Sequence, residues 1–155
     1  MTPPDSDHSA IAKAIVDANV YMTLGTADAE GRPWVSPVFF AASGYRDYYW
    51  ISSPDARHSR NLAVRRQLSI VVFDSRIPVG TGQAVYMEAT AEQLAGAEIA
   101  AGLEIYPGGP ERGARTIDPD ELREAGPYRL YRATATQHWI LDPDRSPDQR
   151  KTVTL

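Results

Sequence analysis

The sequence contains no cysteine, which excludes disulfides, thiolate metal sites and a cysteine nucleophile. Its three histidines, His8, His58 and His138, are isolated and lack a partner at i,i+4, so no zinc site and no other metal site is expected. No apolar run is long enough to span a bilayer. The opening residues MTPPDSDHSA are polar and acidic, without the basic-then-apolar order of a secretory signal. The chain therefore reads as cytoplasmic, with neither a membrane nor a nucleic acid expected as partner. A Gly-x-Ser-x-Gly elbow is also missing, and with it the main signature of a serine hydrolase. Internal repeats and low-complexity tracts are absent too.

The chain's 155 residues suit one domain, residues 1–155, able to bury roughly two-thirds of the unfolded surface. Residues 1–8 read as disordered, and 142–155 as a loop-like tail in which Lys151–Leu155 has the pattern of a short edge strand. The organising stretch is Tyr49–Leu94. Its middle carries Arg57, His58, Arg60, Arg65 and Arg66 with no acid between Asp55 and Asp74, although the whole protein has a net charge of -4. A local cationic segment in an acidic chain suits an anion, and phosphate is the first candidate. The alternative is a solvated charged face on a connecting helix. Ser53-Pro54 predicts an N-cap followed by proline at the first helical position, which would direct free N–H groups toward the preceding strand. Arg57, Arg60 and Asn61 then share a helical face by spacing.

The flanking pattern is mostly strand. Ser9–Asn19 reads as a short helix capped by Ser9, and Val20–Thr26 alternates as a strand. A turn at Ala29–Pro33 leads into a second strand over Trp34–Ala42, where Pro37 demands an edge or a ligand-facing position. Asp47–Ser52 is a third strand. Leu68–Phe73 is apolar throughout, as in a strand buried on both faces, and Ala84–Leu94 alternates. Ala95–Tyr106 and Asp118–Ala125 read as helices, and Tyr128–Leu141 as a long last strand. Strands in short succession joined by tight turns predict an antiparallel barrel or sandwich.

Two motif hints fail on inspection. Gly80-Thr81-Gly82 lacks the third glycine of a dinucleotide loop, because position 85 is Val and the following residues alternate as a strand. Asp142, Asp144 and Ser146 resemble the start of a calcium loop, but Pro147 stands where the sharp-turn glycine belongs. The chain offers no acid, base or nucleophile set of its own, so no catalytic residue is assigned; that favours chemistry carried by a cofactor.

The ordered set of features (strand, Gly-x-Pro turn, strand, hairpin, strand, Arg57-His58-x-x-Asn61-Leu62 helix, apolar strand, Gly82-Gln83 at a strand start) resembles the pyridoxamine 5'-phosphate oxidase-like flavin-binding split barrels and their deazaflavin-using relatives. The resemblance runs from about Val20 to Leu94 and more faintly over Tyr128–Leu141. It implies a mainly β fold with peripheral helices, an antiparallel split β-barrel of the FMN-binding type. It further implies a phosphate grip at Arg57 and His58, with Asn61 one turn on. By the same resemblance Ser36, Pro37 and Val38 run past the isoalloxazine edge, and Trp50, Ile51 and Ser52 meet the ribityl chain. Gln83 and Trp139 contact the flavin, Gln83 often from a neighbouring subunit.

The implied protein is a homodimeric flavin oxidoreductase with FMN, or alternatively a deazaflavin, at the interface and a small-molecule substrate. The alternative is a non-catalytic flavin- or haem-binding protein. This sequence departs from the oxidase itself. Ser36 stands where that enzyme has arginine, His58 where lysine is usual, and its late Arg-x-His motif is replaced by Asp144-Arg145-Ser146-Pro147-Asp148. An efficient pyridoxamine-phosphate oxidase is therefore not expected.

Overall fold

Strand alternation builds the molecule. The computed structural model describes residues 5–142, 145 and 147–155. In β1 (Tyr21–Ala27), Met22, Leu24 and Thr26 turn inward, while Tyr21 faces solvent. A tight turn then brings β2 (Pro33–Phe39) back antiparallel, pairing Thr23 with Pro37 and Gly25 with Val35. The remaining strands are β3 (Ala41–Ser43), β4 (Asp47–Ser52), β5 (Gln67–Phe73), β6 (Ala84–Gln93), β7 (Arg129–Leu141) and β8 (Arg150–Val153). They form one eight-stranded sheet in the order β2-β1-β5-β6-β7-β4-β3, with β8 paired to β7. β2 ends the order, which answers the demand Pro37 makes for an edge.

The sheet curls into a half-barrel because β7 serves two neighbours on one side. Its first half pairs with β4 through Arg129–Thr134, and its last residues pair with β8 through His138–Leu141. A register shift between Glu88 and Ala89 bends β6 against β7. The concave side holds the main core, where Met22, Leu24, Trp50, Ile70, Val85, Met87 and Ile140 are fully buried. Helix α1 (Asp5–Ala18) closes this core with Ala12 and Val16. Trp50 stacks on Tyr131 at 5.4 Å, a pairing worth about 0.5–1.5 kcal/mol beyond its buried area. A second core lies behind β4 and gathers Ala41, Tyr49, Leu94, Tyr106, Leu122 and Leu130. Helix α3 (Ala97–Leu103) and the two short turns Pro110–Arg112 and Pro119–Leu122 cover it.

Several local expectations are corrected. Helix α1 begins at Asp5 rather than Ser9, and His8 within it is buried. Ser9 does not cap; its hydroxyl donates to the Thr154 carbonyl at 2.8 Å and ties the helix to the C-terminal strand. In the tail, the short strand expected over Lys151–Leu155 is present as β8, shifted to Arg150–Val153. The second strand breaks at Phe40 into β2 and β3. β5 buries only one face: Leu68, Ile70 and Val72 point inward, while Ser69 and Phe73 are exposed. The segment Asp118–Ala125 holds only a 3₁₀ turn, fixed by a capping box between Asp118 and Glu121. Pro143, Asp144 and Ser146, part of the rejected calcium pattern and of the late segment, lie outside the described residues. Among the described residues no helix is long and apolar enough to cross a membrane.

Candidate functional site

Helix α2 (Arg57–Val64) starts three residues later than Ser53-Pro54 suggests. Ser53 instead makes a local turn, its hydroxyl accepting the Asp55 N–H at 3.1 Å, and Ala56 flanks the helix without a side-chain cap. This shift moves Arg57 and His58 into the first helical turn, where N–H groups have no intrahelical acceptor. The first intrahelical bond runs from the Arg60 N–H to the Ala56 carbonyl at 3.0 Å. Arg57 is exposed, and its guanidinium lies 4.4 Å from the centre of the Trp34 ring. Among the described residues no carboxylate pairs with it.

Behind Arg57 the helix is pinned to the sheet by buried polar contacts. Asn61 is 4% exposed and donates from Nδ2 to Thr26 Oγ1 at 3.0 Å. Thr26 in turn donates to the Trp34 carbonyl at 3.3 Å, so one relay runs from α2 through β1 to the strand carrying the stacked indole. His58 is also buried and shares a 2.8 Å hydrogen bond between its Nε2 and Ser52 Oγ at the end of β4. Burial holds the His58 imidazole below the ordinary histidine range, which leaves Arg57 as the main positive group of the pair. The expectation that Arg57, Arg60 and Asn61 share a face fails, because Asn61 turns inward while both arginines stay outside. Arg65 and Arg66 are spent elsewhere. Arg65 reaches the Asp28 and Ala29 carbonyls, and Arg66 reaches the Ala91 carbonyl and Glu92.

The other candidates fall into three settings. Ser36 is half-buried on the inward face of β2, two residues from Trp34, and Pro37 is exposed on the opposite face. β2 pairs only with β1, and the register aims the Ser36 and Val38 backbone groups at β1, so over Ser36–Val38 the Pro37 carbonyl is the group that points off the sheet edge. The side chains of Val38 and Trp50 are buried in the main core, and Ile51 packs on the second core. The side chains of these three residues are therefore turned into the cores rather than toward a ligand beside the strands.

Gln83 and Trp139 stand apart from the α2 group. Gln83 lines a cavity of about 800 Å³ with Phe73, Tyr86, Asp142, Arg145 and Asp148, and its buried Oε1 has no hydrogen-bond partner among the described residues. Trp139 pairs with Tyr86 on the convex face and lines a neighbouring cavity of about 480 Å³. Thr26 lies on the concave face, near the start of β5, whereas Gln83 directly precedes Ala84, the partner of Phe73 at its end. The length of β5 separates them, about 20 Å at 3.3 Å per residue. One copy of the chain does not gather all the candidates around one point. Trp34 and Thr26, which complete the α2 cluster, were missed from sequence. The available signal was that Trp34 shares an alternating strand face with Ser36.

Comparison with known proteins agrees with this architecture. The family model described as pyridoxamine 5'-phosphate oxidase matches residues 10–141. No curated protein matches the sequence significantly. Among solved structures, a heme binding protein from Mycobacterium smegmatis superposes with a TM-score of 0.69 at 19% identity, covering 98% of this chain and 59% of its own. The chain therefore spans less than two-thirds of that protein's length. The heme storage protein HutZ from Vibrio cholerae gives a TM-score of 0.60 at 25% identity, over 81% of this chain and 87% of its own. An F420 reductase gives a TM-score of 0.60 at 16% identity, over 82% of this chain and 94% of its own. With the family model matched over most of its length and its antiparallel sheet curled as in these structures, the chain belongs to the pyridoxamine 5'-phosphate oxidase family of split-barrel proteins.

Proposed function

We propose that the chain is one flavin-binding domain that works as a homodimeric oxidoreductase, with FMN favoured over a deazaflavin. The observation that carries the reading is Arg57: exposed, stacked on Trp34, free of a carboxylate partner among the described residues, and seated in the first turn of α2. A phosphate group fits a guanidinium beside free helix N–H groups. Asn61, through Thr26, and His58, through Ser52, hold that turn against the sheet. The backbone of Ser36, Pro37 and Val38 would border the ring, and that of Trp50, Ile51 and Ser52 the ribityl chain. When bound, FMN supplies the redox centre that exchanges a hydride or electrons with a small substrate.

The separation of Gln83 and Trp139 from the α2 cluster supports a dimer in which a second copy brings them to the cofactor. The convex face suits such pairing. Tyr21, Val35 and Phe73 are 60%, 66% and 48% exposed there, an unusual amount of apolar surface for a sheet facing water. The unpartnered Oε1 of Gln83 is an acceptor suited to a ring N–H.

Pyridoxamine-phosphate oxidation itself is disfavoured. Arg145, the cation of the late segment, lies 3.7 Å from Asp142 and shares its cavity with Asp74 and Asp148. That balance opposes a second phosphate dianion.

A second reading, a non-catalytic flavin or haem binder, is supported by the heme-binding and heme-storage proteins among the similar structures. Against haem, His8, His58 and His138 are only 3%, 8% and 9% exposed, so none is open to an axial iron bond. Titrating the purified chain with FMN and with a deazaflavin, followed by fluorescence, tests the cofactor claim, and micromolar binding by neither would sink it. Turnover of the bound reduced cofactor by added oxidants separates the enzyme from the carrier.

A further inference from the structure

The cavity of about 480 Å³ beside Trp139 lies on the convex face. Its lining residues, among them Val35, Val71, Tyr86 and Trp139, are uncharged but for two, Glu88 and Arg150. Strand alternation puts Glu88 on this face: Val85 and Met87 point into the core, while Tyr86 and Glu88 point out. Arg150 arrives from the other side. It opens β8 opposite Leu141, and its guanidinium lies 4.4 Å from the centre of the Tyr86 ring, across the intervening strand β7.

Both residues are exposed, and among the described residues neither forms an ion pair. In water two such charges need no partner. Beneath a second copy of the chain they do, because a charge desolvated without a counter-charge is costly. A two-fold pairing sets one patch against itself, so that residue i meets j and j meets i. One acid and one base on the same face, unpaired within the chain, satisfy each other twice in that arrangement.

We propose, resting on the dimer inferred above, that two crossing ion pairs lock the convex faces of two copies in register: Glu88 with the partner's Arg150, and Arg150 with the partner's Glu88. Charge complementarity selects a second copy as the occupant. The cavity offers one charge of each sign amid uncharged walls, and a partner bearing a single sign would leave one of them buried without a counter-charge. Trp139 lines the same cavity, so the register also sets where its indole stands toward the partner's cofactor. Glu88 and Arg150 act on the flavin site as positioning residues, through the second copy rather than by touching the cofactor.

Sedimentation and FMN titration of the parent chain, Glu88→Arg, Arg150→Glu and an equimolar mixture of the two variants test the crossing. The parent should be dimeric. Both positions are exposed, so each variant should keep the parent's circular dichroism. Alone, each variant sets like charges against each other and should raise the dimer Kd at least about tenfold, with FMN affinity falling alongside. In the mixture each chain supplies the charge the other lacks, and both affinities should return to within about threefold of the parent. Rescue in the double variant Glu88→Arg/Arg150→Glu but not in the mixture would place the pair within one chain and overturn the crossing. A parent dimer indifferent to both reversals would overturn it too, leaving the dimer itself intact. A monomeric parent would instead remove the dimer, and the crossing with it.

Discussion

Nε2 of His58 and Oγ of Ser52 lie 2.8 Å apart, joining the first turn of α2 to the last residue of β4. The contact keeps His58 pointing inward and leaves Arg57, its neighbour, pointing out over Trp34. Burial holds His58 below the ordinary histidine range. His138 is also lowered, first by burial, with the Tyr45 backbone acting in the opposite direction. The unfolded chain therefore takes up these protons more readily than the folded one. The contribution is complete above the unfolded histidine pKa of about 6.5 and is lost as the pH falls below it. The melting temperature should be steady above about pH 7 and drop on acidification, with a shallower drop in His138→Gln. An unchanged slope in that variant would remove His138 from the account.

Asn61 should matter more for holding the site than for touching the ligand. Asn61→Ala removes the buried bond to Thr26 and leaves that hydroxyl with only its link to Trp34. A loss of about 1–3 kcal/mol in urea unfolding is expected, together with weaker FMN binding. A stability loss with unaltered FMN affinity would mean that α2 keeps Arg57 in place without this anchor.

The convex face gives a prediction about assembly. Val35→Glu places a charge on a residue that is 66% exposed, so the fold should survive. Sedimentation should show a dimer for the parent chain and a monomer for the variant, with FMN lost alongside the dimer. A monomeric parent that binds FMN fully would refute the shared site.

An assay of the flavin-loaded protein with pyridoxamine and pyridoxine phosphates should give turnover well below roughly 1 per second. Peroxide and aldehyde formation at or above that rate would restore the oxidase activity.

The fold was largely legible because period-two patterns are local. Val85, Met87 and Ala89 face the core as their spacing requires, and β4 runs over the expected residues. β5 misled because Phe73 and the half-buried Val71 are apolar yet lie on the convex face, and composition alone cannot show which face is covered. The helix start misled because Ser53 spent its hydroxyl on its own turn, an option equal in local chemistry to capping. At the candidate site, Arg57 stood out as a charge in an uninterrupted basic run. Trp34 did not, since its contact with Arg57 crosses between distant segments. Nor does any local pattern reveal that Gln83 and Trp139 sit far from α2, because that depends on the curl of the whole sheet.

The central claim is that Arg57 receives a phosphate. The direct measurement compares FMN and riboflavin affinities in the parent chain and in Arg57→Ala. A charge-assisted bond is worth about 1.5–3 kcal/mol, and riboflavin has no phosphate to lose. FMN affinity should fall roughly 10- to 100-fold while riboflavin affinity holds within about twofold. An equal loss for both ligands, or no loss for either, would contradict the account.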